Sequence, residues 1–285
     1  MRLGLKPEQA IKMATIQAAK CYGLHHLGAI APGYQADFVV LDNLDEMNVL
    51  EVYHKGNKII RDEKVEIRPC SPQLKNTVHL LGFKESNLRL PWKQGRVHII
   101  KMFAGQIVTE DIMEEVGYVD ENGQKFFKAD ETYQKIAAVE RHKNTGKVGV
   151  GIVKGFGLQG GAIASSVSHD SHNLIVIGDN DHDMYLAVQE LLRVQGGYTL
   201  VENGEVFDTL PLPIMGLMSD AGYEKVNEKL ARMIPKAHEM GIPKGFDPFI
   251  TLSFMALPVI PQIRITPRGV YLTKEDRMIQ SPFDH

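Results

Sequence analysis

Ser168-His169-Asp170-Ser171-His172-Asn173 runs directly into Leu174-Ile175-Val176-Ile177, with Gly155-Phe156-Gly157 and Gly160-Gly161 upstream. The short apolar run, rich in β-branched residues, reads as a buried core strand. Two histidines three apart, with an acid, two hydroxyls and an amide around them, are costly beside such a strand. They must bind a ligand or one another. The hexapeptide is therefore the leading candidate for a site.

Outward from this point, strands and helices mix. Arg96 to Phe103 and Val148 to Val153 predict strands, while Tyr133 to Glu140 fits strand or helix. Asp181 predicts the cap of a helix running through Arg193, with Met184, Val188, Leu191 and Leu192 on one face and Gly196-Gly197 as its stop. Asn203-Gly204 predicts a hairpin of residues 198–202 and 205–210, and residues 221–239 predict an amphipathic helix. Residues 96–285 thus read as an α+β domain, preceded by a connector over 63–95 that carries Pro69, Pro72 and Pro91. Nearer the N-terminus, Pro7, Glu8, the spacing of Ile11, Ala14, Ala18 and Tyr22, and Gly23 predict a helix over 7–22. After the Pro32-Gly33 turn, Phe38 to Leu41 predicts a buried strand. Val49 to Tyr53 and Lys58 to Ile60 predict a hairpin about Lys55-Gly56-Asn57, closing a small β unit near residue 62.

Composition narrows the class. The chain has 285 residues, 44% apolar and 24% charged, enough for a sizeable core. A net charge of −3 gives no basic footprint for nucleic acid or an anionic membrane. Two cysteines, Cys21 and Cys70, show neither metal-ligand spacing nor a disulfide framework, which favours a reducing compartment. No run approaches the ~20 apolar residues of a membrane span, and no signal core opens the chain. A cytoplasmic protein is the expectation.

Two sets of motifs carry a family resemblance. Ala14-Thr15, Ala18-Ala19, Gly23-Leu24, Gly28, Ala31-Pro32-Gly33, Ala36-Asp37 and the hairpin through Gly56 resemble the end of an amidohydrolase-superfamily chain. Glu140-Arg141-His142, Lys154-Gly155-Phe156-Gly157, Gly161-Ala162-Ile163-Ala164-Ser165-Ser166, His169 to Asn173, Leu212-Pro213, Gly216 to Asp220 and Leu252-Ser253-Phe254 to Val259-Ile260-Pro261 resemble the C-terminal domain of the prokaryotic adenine deaminase family. The resemblance implies that residues 1–25 are the last helix of a (β/α)8 barrel and 26–62 strands of a partial β-sandwich. Residues 96–285 would be the family's C-terminal domain. It implies adenine as substrate and a divalent metal, manganese or iron, held by barrel ligands. This sequence lacks the His-x-His of the first barrel strand and begins after the last one. The expectation is a C-terminal fragment, inactive in deamination by itself. Its orphaned helix and half sandwich would drive homo-oligomerisation or poor solubility.

Within that frame, His169, Asp170, His172 and Asn173 are candidate catalytic-loop residues, donating or accepting hydrogen bonds to a purine or an activated water. Glu140, Arg141, His142 and Ser171 are candidate substrate contacts, with Arg141 expected to pair with Glu140 or Asp170. The competing reading is a polar network that only braces a glycine-rich loop, in a non-catalytic structural or subunit-contact module. His169 and His172 as metal ligands, with His142 in a stand-alone metal hydrolase, would be an incomplete set. Gly155 to Gly161 lacks the Lys-Ser/Thr of a P-loop and reads as close backbone approach beside the histidines. Asp179, Asp181, His182 and Asp183 read as a helix start before they read as a calcium or transition-metal site. Ser219 or Asp220 fits a helix cap. Ser165 and Ser166 lack the setting of an activated nucleophile.

Overall fold

A computed structural model describes residues 4–59 and 70–284, which form one compact unit in each range. In the first, α1 (Pro7–Lys12) continues through a π-helical stretch, Met13–Gln17, into α2 (Ala18–Cys21). Pro7 sits in the first turn, where its missing N–H costs nothing, and Gly23 ends the run at φ 69°. β1 (Phe38–Leu41), β2 (Val49–His54) and β3 (Asn57–Ile59) form an antiparallel sheet. Lys55 and Gly56, at φ 50° and 79°, make the mirror-image two-residue turn that matches strand twist. The expectation of a buried strand at Phe38–Leu41 is corrected: Val39 is 50% exposed and Val40 is exposed too. Three short strands have too little chain in their own unit to cover both sheet faces. Ile60, and residues 63–69 of the expected connector, lie outside the described residues.

The second unit is built on one large sheet. Its first strands are β4 (Val97–Lys101) and β5 (Glu110–Glu114), followed by a separate hairpin of β6 (Tyr118–Glu121) and β7 (Gln124–Phe127). β8 (Tyr133–Val139), β9 (Val148–Lys154), β10 (Gly161–Ser165) and β11 (Leu174–Gly178) come next, then α3 (Asp181–Val194). β12 (Gly197–Glu202), β13 (Glu205–Pro211), α4 (Tyr223–Glu239) and α5 (Pro248–Phe254) follow. A small sheet of β14 (Ile263–Thr266), β15 (Gly269–Leu272) and β16 (Arg277–Ile279) closes the chain. The large sheet runs β13-β12-β10-β11-β8-β9-β4-β5, and only the β4–β9 pair is parallel.

Both faces of this sheet are buried, which is why its strands read as unbroken apolar runs. Ile175 and Ile177 face a core completed by Met233 and Ala237 of α4, Phe249 and Leu252 of α5, and Ile263, Ile265 and Val270 of the small sheet. Leu174 and Val176 point the other way, against Met184, Ala187, Val188 and Leu191 of α3. Val78, Leu88 and Leu90, from the stretch read as a connector, join that second core.

Local details differ from the sequence reading in physical ways. Tyr133–Val139 is a strand because it pairs on both sides, with β9 and β11. The cap of α3 is Asn180, whose side chain accepts from the Asp183 N–H, not Asp181. Gln195 takes the left-handed turn at the far end, ahead of Gly196. Neither Ser219 nor Asp220 caps α4; Ser219 accepts from the Ala221 N–H and Asp220 pairs with Lys75. The glycine-rich segment does make close backbone approaches, but to other partners. A Cβ on Gly157 would lie 2.8 Å from the Gly241 carbonyl oxygen, and one on Gly155 2.7 Å from that of Met102.

Candidate active-site loop

The β8–β11 pairing brings the two predicted clusters together. Leu174 is opposite Val139, so residues 140–142, leaving β8, lie beside 171–173, entering β11. The loop from Ser166 to Asn173 links β10 to β11 across this end of the sheet.

Arg141 organises the loop from below. It is 1% exposed, and burial pulls its pKa down to about 10, so it remains a cation at neutral pH. The expected pairing with Glu140 or Asp170 is not made. Nε donates to the His172 carbonyl, Nη1 to the Thr77 carbonyl at 3.0 Å and hydroxyl at 3.1 Å, and Nη2 to the Met215 carbonyl at 2.9 Å. Its backbone N–H donates to Asn173 Oδ1 at 3.3 Å. A planar fork of donors can satisfy carbonyls of three separate loop segments at once, which a lysine cannot.

Glu140 is also occupied. Its carboxylate accepts from the N–H groups of His142, Lys143 and Thr145 and from the Thr145 hydroxyl, at 2.6 to 2.9 Å. Burial pushes its pKa up, but these donors outweigh burial and hold it at about 2. His142 Nε2 lies 2.8 Å from the Ser171 carbonyl and ties the β8–β9 loop to the hexapeptide.

The histidines themselves are less committed. The His169 ring stacks on Phe254, with centroids 4.9 Å apart, and its side chain is 37% exposed. Its Nδ1 is 3.8 Å from the carboxylate of Asp170, which is itself 83% exposed. The His172 ring is 6.1 Å from that of His169, and its backbone holds φ 49° while donating to the Ser168 carbonyl at 2.6 Å. Burial, then the charges of His169 and Arg141, push the His172 pKa below its ordinary value. Two buried polar atoms of this loop, His172 Nδ1 and Ser168 Oγ, have no hydrogen-bond partner among the described residues. Ser168 stands in the predicted hexapeptide, and Phe254 in a resembling motif, yet neither was assigned a role. Their signal was position beside the histidines, which only the fold reveals.

The other candidates resolve as structure. Asp179 accepts from the Gly160 and Gly161 N–H groups, Asp181 pairs with the buried Lys135, and Asp183 accepts from the Gly204 N–H. Ser166 Oγ donates to the Gly216 carbonyl and accepts from the Gly197 N–H at 2.7 Å. Among the described residues no three His, Cys, Asp or Glu side chains converge to hold a metal ion. Nor is any helix among them long and apolar enough to cross a membrane.

A mixed α+β unit with a buried two-faced sheet and a histidine loop at its strand ends is the class the geometry defines. Residues 106–277 match the model of the adenine deaminase C-terminal domain, and residues 1–60 that of the amidohydrolase family. The chain belongs to the adenine deaminase C-terminal domain family. It is 52% identical over 278 residues to an adenine deaminase of Desulfitobacterium hafniense (strain Y51), covering 98% of this chain and 48% of that protein. Adenine deaminases of Petrotoga mobilis and Nitratidesulfovibrio vulgaris (strain DP4) are each 42% identical, over 95% and 94% of this chain and 48% and 47% of theirs. The chain thus spans about half the length of the curated relatives it matches.

Proposed function

We propose that this chain supplies the C-terminal part of an adenine deaminase, in which adenine and water give hypoxanthine and ammonia. Residues 1–25 and 26–62 serve as the last barrel helix and part of the β-sandwich, and the whole protein works in the cytoplasm. One observation carries the assignment of a role to the loop: Ser168 Oγ and His172 Nδ1 are buried without partners beside the half-exposed His169 ring. Unpaired buried polar atoms are costly, and a purine edge offers both donors and acceptors to satisfy them. His169, stacked on Phe254, adds a partly exposed imidazole to the same loop. Asp170 and Asn173 complete the reading, Asp170 exposed and Asn173 fixing the loop to Arg141. The residues of this loop bind and orient the substrate.

A second reading is favoured by Arg141, whose bonds to loop carbonyls would serve equally a purely structural brace. An ammonia-release assay with adenine and added Mn2+ decides between them. The chain is compared alone and fused behind the upstream half of the Desulfitobacterium hafniense relative. The deaminase reading expects activity in the fusion only. There His169→Ala and His172→Ala should each lower kcat by about 10²-fold or more while leaving the unfolding midpoint little changed. Inactive fusions, or variants that lose stability but keep specific activity, would overturn it.

A further inference from the structure

Behind the His142–Ser171 contact lies a cleft of about 410 Å³, between the β8–β9 loop and the turn joining β14 to β15. Its walls approach closely because Gly149 has no side chain; a Cβ there would lie 1.9 Å from the Thr266 carbonyl oxygen. Lys143, Lys147 and Arg268 line the cleft, with Pro267 and Met278 as its apolar lining. The one acidic side chain lining it, Glu140, is taken up by four donors of its own loop. None of the three cations has an ion-pair partner among the described residues, although the chain as a whole carries a net charge of −3.

Three cations against the single carboxylate of Glu140 leave a net positive charge around this concave space. Lys and Arg recognise phosphate by charge-assisted hydrogen bonds, Arg with a planar fork and Lys as a point charge. The apolar lining suits the organic part of a ligand. The space is ample for one phosphorylated metabolite. We propose that this cleft binds a small phosphate-bearing ligand through Lys143, Lys147 and Arg268, with its organic part against Pro267 and Met278. Ser171 and Asn173 also line the cleft, so occupancy reaches the hexapeptide without involving His169 or His172. The inference is independent of the deaminase reading.

Isothermal titration of the 285-residue chain with inorganic phosphate, adenosine monophosphate and uncharged adenosine tests it. Saturable binding of the monophosphate is expected, with adenosine at least about tenfold weaker. K143Q, K147Q and R268Q should each weaken the monophosphate by about five- to tenfold, and raised salt should weaken it further. These side chains are exposed, so unchanged far-UV circular dichroism separates lost binding from lost folding. Equal binding of phosphate and monophosphate would keep the anion site and make free phosphate its ligand. Absence of saturable binding, or affinity untouched by all three substitutions, would overturn the proposal.

Discussion

The Nε–H of Arg141 donates to the main-chain carbonyl of His172, across the gap between the end of β8 and the start of β11. The contact explains how a non-glycine residue is held at φ 49° beside a buried sheet. The same guanidinium reaches Thr77 and Met215, so three separate chain segments share one buried cation.

Removing that cation should cost more than one hydrogen bond. Arg141→Met leaves the carbonyls of His172, Thr77 and Met215 without their donor, and Arg141→Lys cannot span them. Each substitution should lower stability by about 2–4 kcal/mol. Urea unfolding at neutral pH checks this; a loss below about 1 kcal/mol would show that water replaces the guanidinium freely.

Glu140 should make the fold acid-sensitive. Its carboxyl sits at about 2 against an ordinary 4.5, so its contribution is full above 4.5 and fades as pH falls toward 2. Glu140→Gln removes the ionisation and part of the acceptor capacity. The stability gap between wild type and this variant should be widest at pH 6 and should narrow steadily below pH 4.5. Urea midpoints at several pH values measure the gap, and a gap independent of pH would refute the assignment.

His172 should titrate below the ordinary histidine value of 6.5, because of burial and of the neighbouring His169 and Arg141 charges. The unfolded chain then takes up the proton first. Stability tied to this group therefore rises as pH climbs toward 6.5 and is level above it. An NMR titration of the ring protons should place the His172 midpoint below 6.5, and His169→Gln should move it upward. A midpoint at or above 6.5 would contradict the packing described.

How far the sequence carried this picture depended on whether the relevant force was local. Leu174 to Ile177 and Val148 to Val153 declared themselves as strands because both faces are buried. The Asn203-Gly204 hairpin showed through its turn chemistry. Tyr133 to Glu140 stayed ambiguous because pairing with β9 and β11, a long-range effect, decides it. The strands Glu110–Glu114 and Tyr118–Glu121 went unread, since half-buried or exposed edges carry mixed residues. In the site, the clusters at 140–142 and 168–173 were both legible as polar density. Their roles were not: the acid expected to meet Arg141 was replaced by backbone carbonyls, which no residue pattern encodes.

The first unit should make the chain self-associate. Val39, Val40, Val49 and Val52 are exposed on its small sheet, and Leu50 is 64% exposed. By register Val39, Leu50 and Val52 share one face, and an apolar patch of this kind is normally covered in a folded protein. Light scattering should report a mass above the 31.8 kDa monomer, growing with concentration. Leu50→Lys with Val39→Lys should shift the chain toward monomer. A monodisperse monomer for the unsubstituted chain would count against this expectation.

Gly216 offers the sharpest test of the Arg141 cluster, because it touches that cluster without bonding to the guanidinium. It holds φ 71°, and a Cβ there would sit 2.9 Å from Arg141 Nη1 and 3.0 Å from Cζ. Its carbonyl also accepts from the buried Ser166 hydroxyl, so the backbone has little room to retreat. Gly216→Ala should therefore cost about 1 kcal/mol for the backbone conformation and more for displacing the arginine. With Arg141→Met already present, the displacement cost disappears and only the conformational part remains. The double variant should be more stable than the sum of the two single losses predicts, by about 1 kcal/mol or more. Strict additivity in urea unfolding would mean that Arg141 moves aside without penalty and that its bonds to the histidine loop are weak.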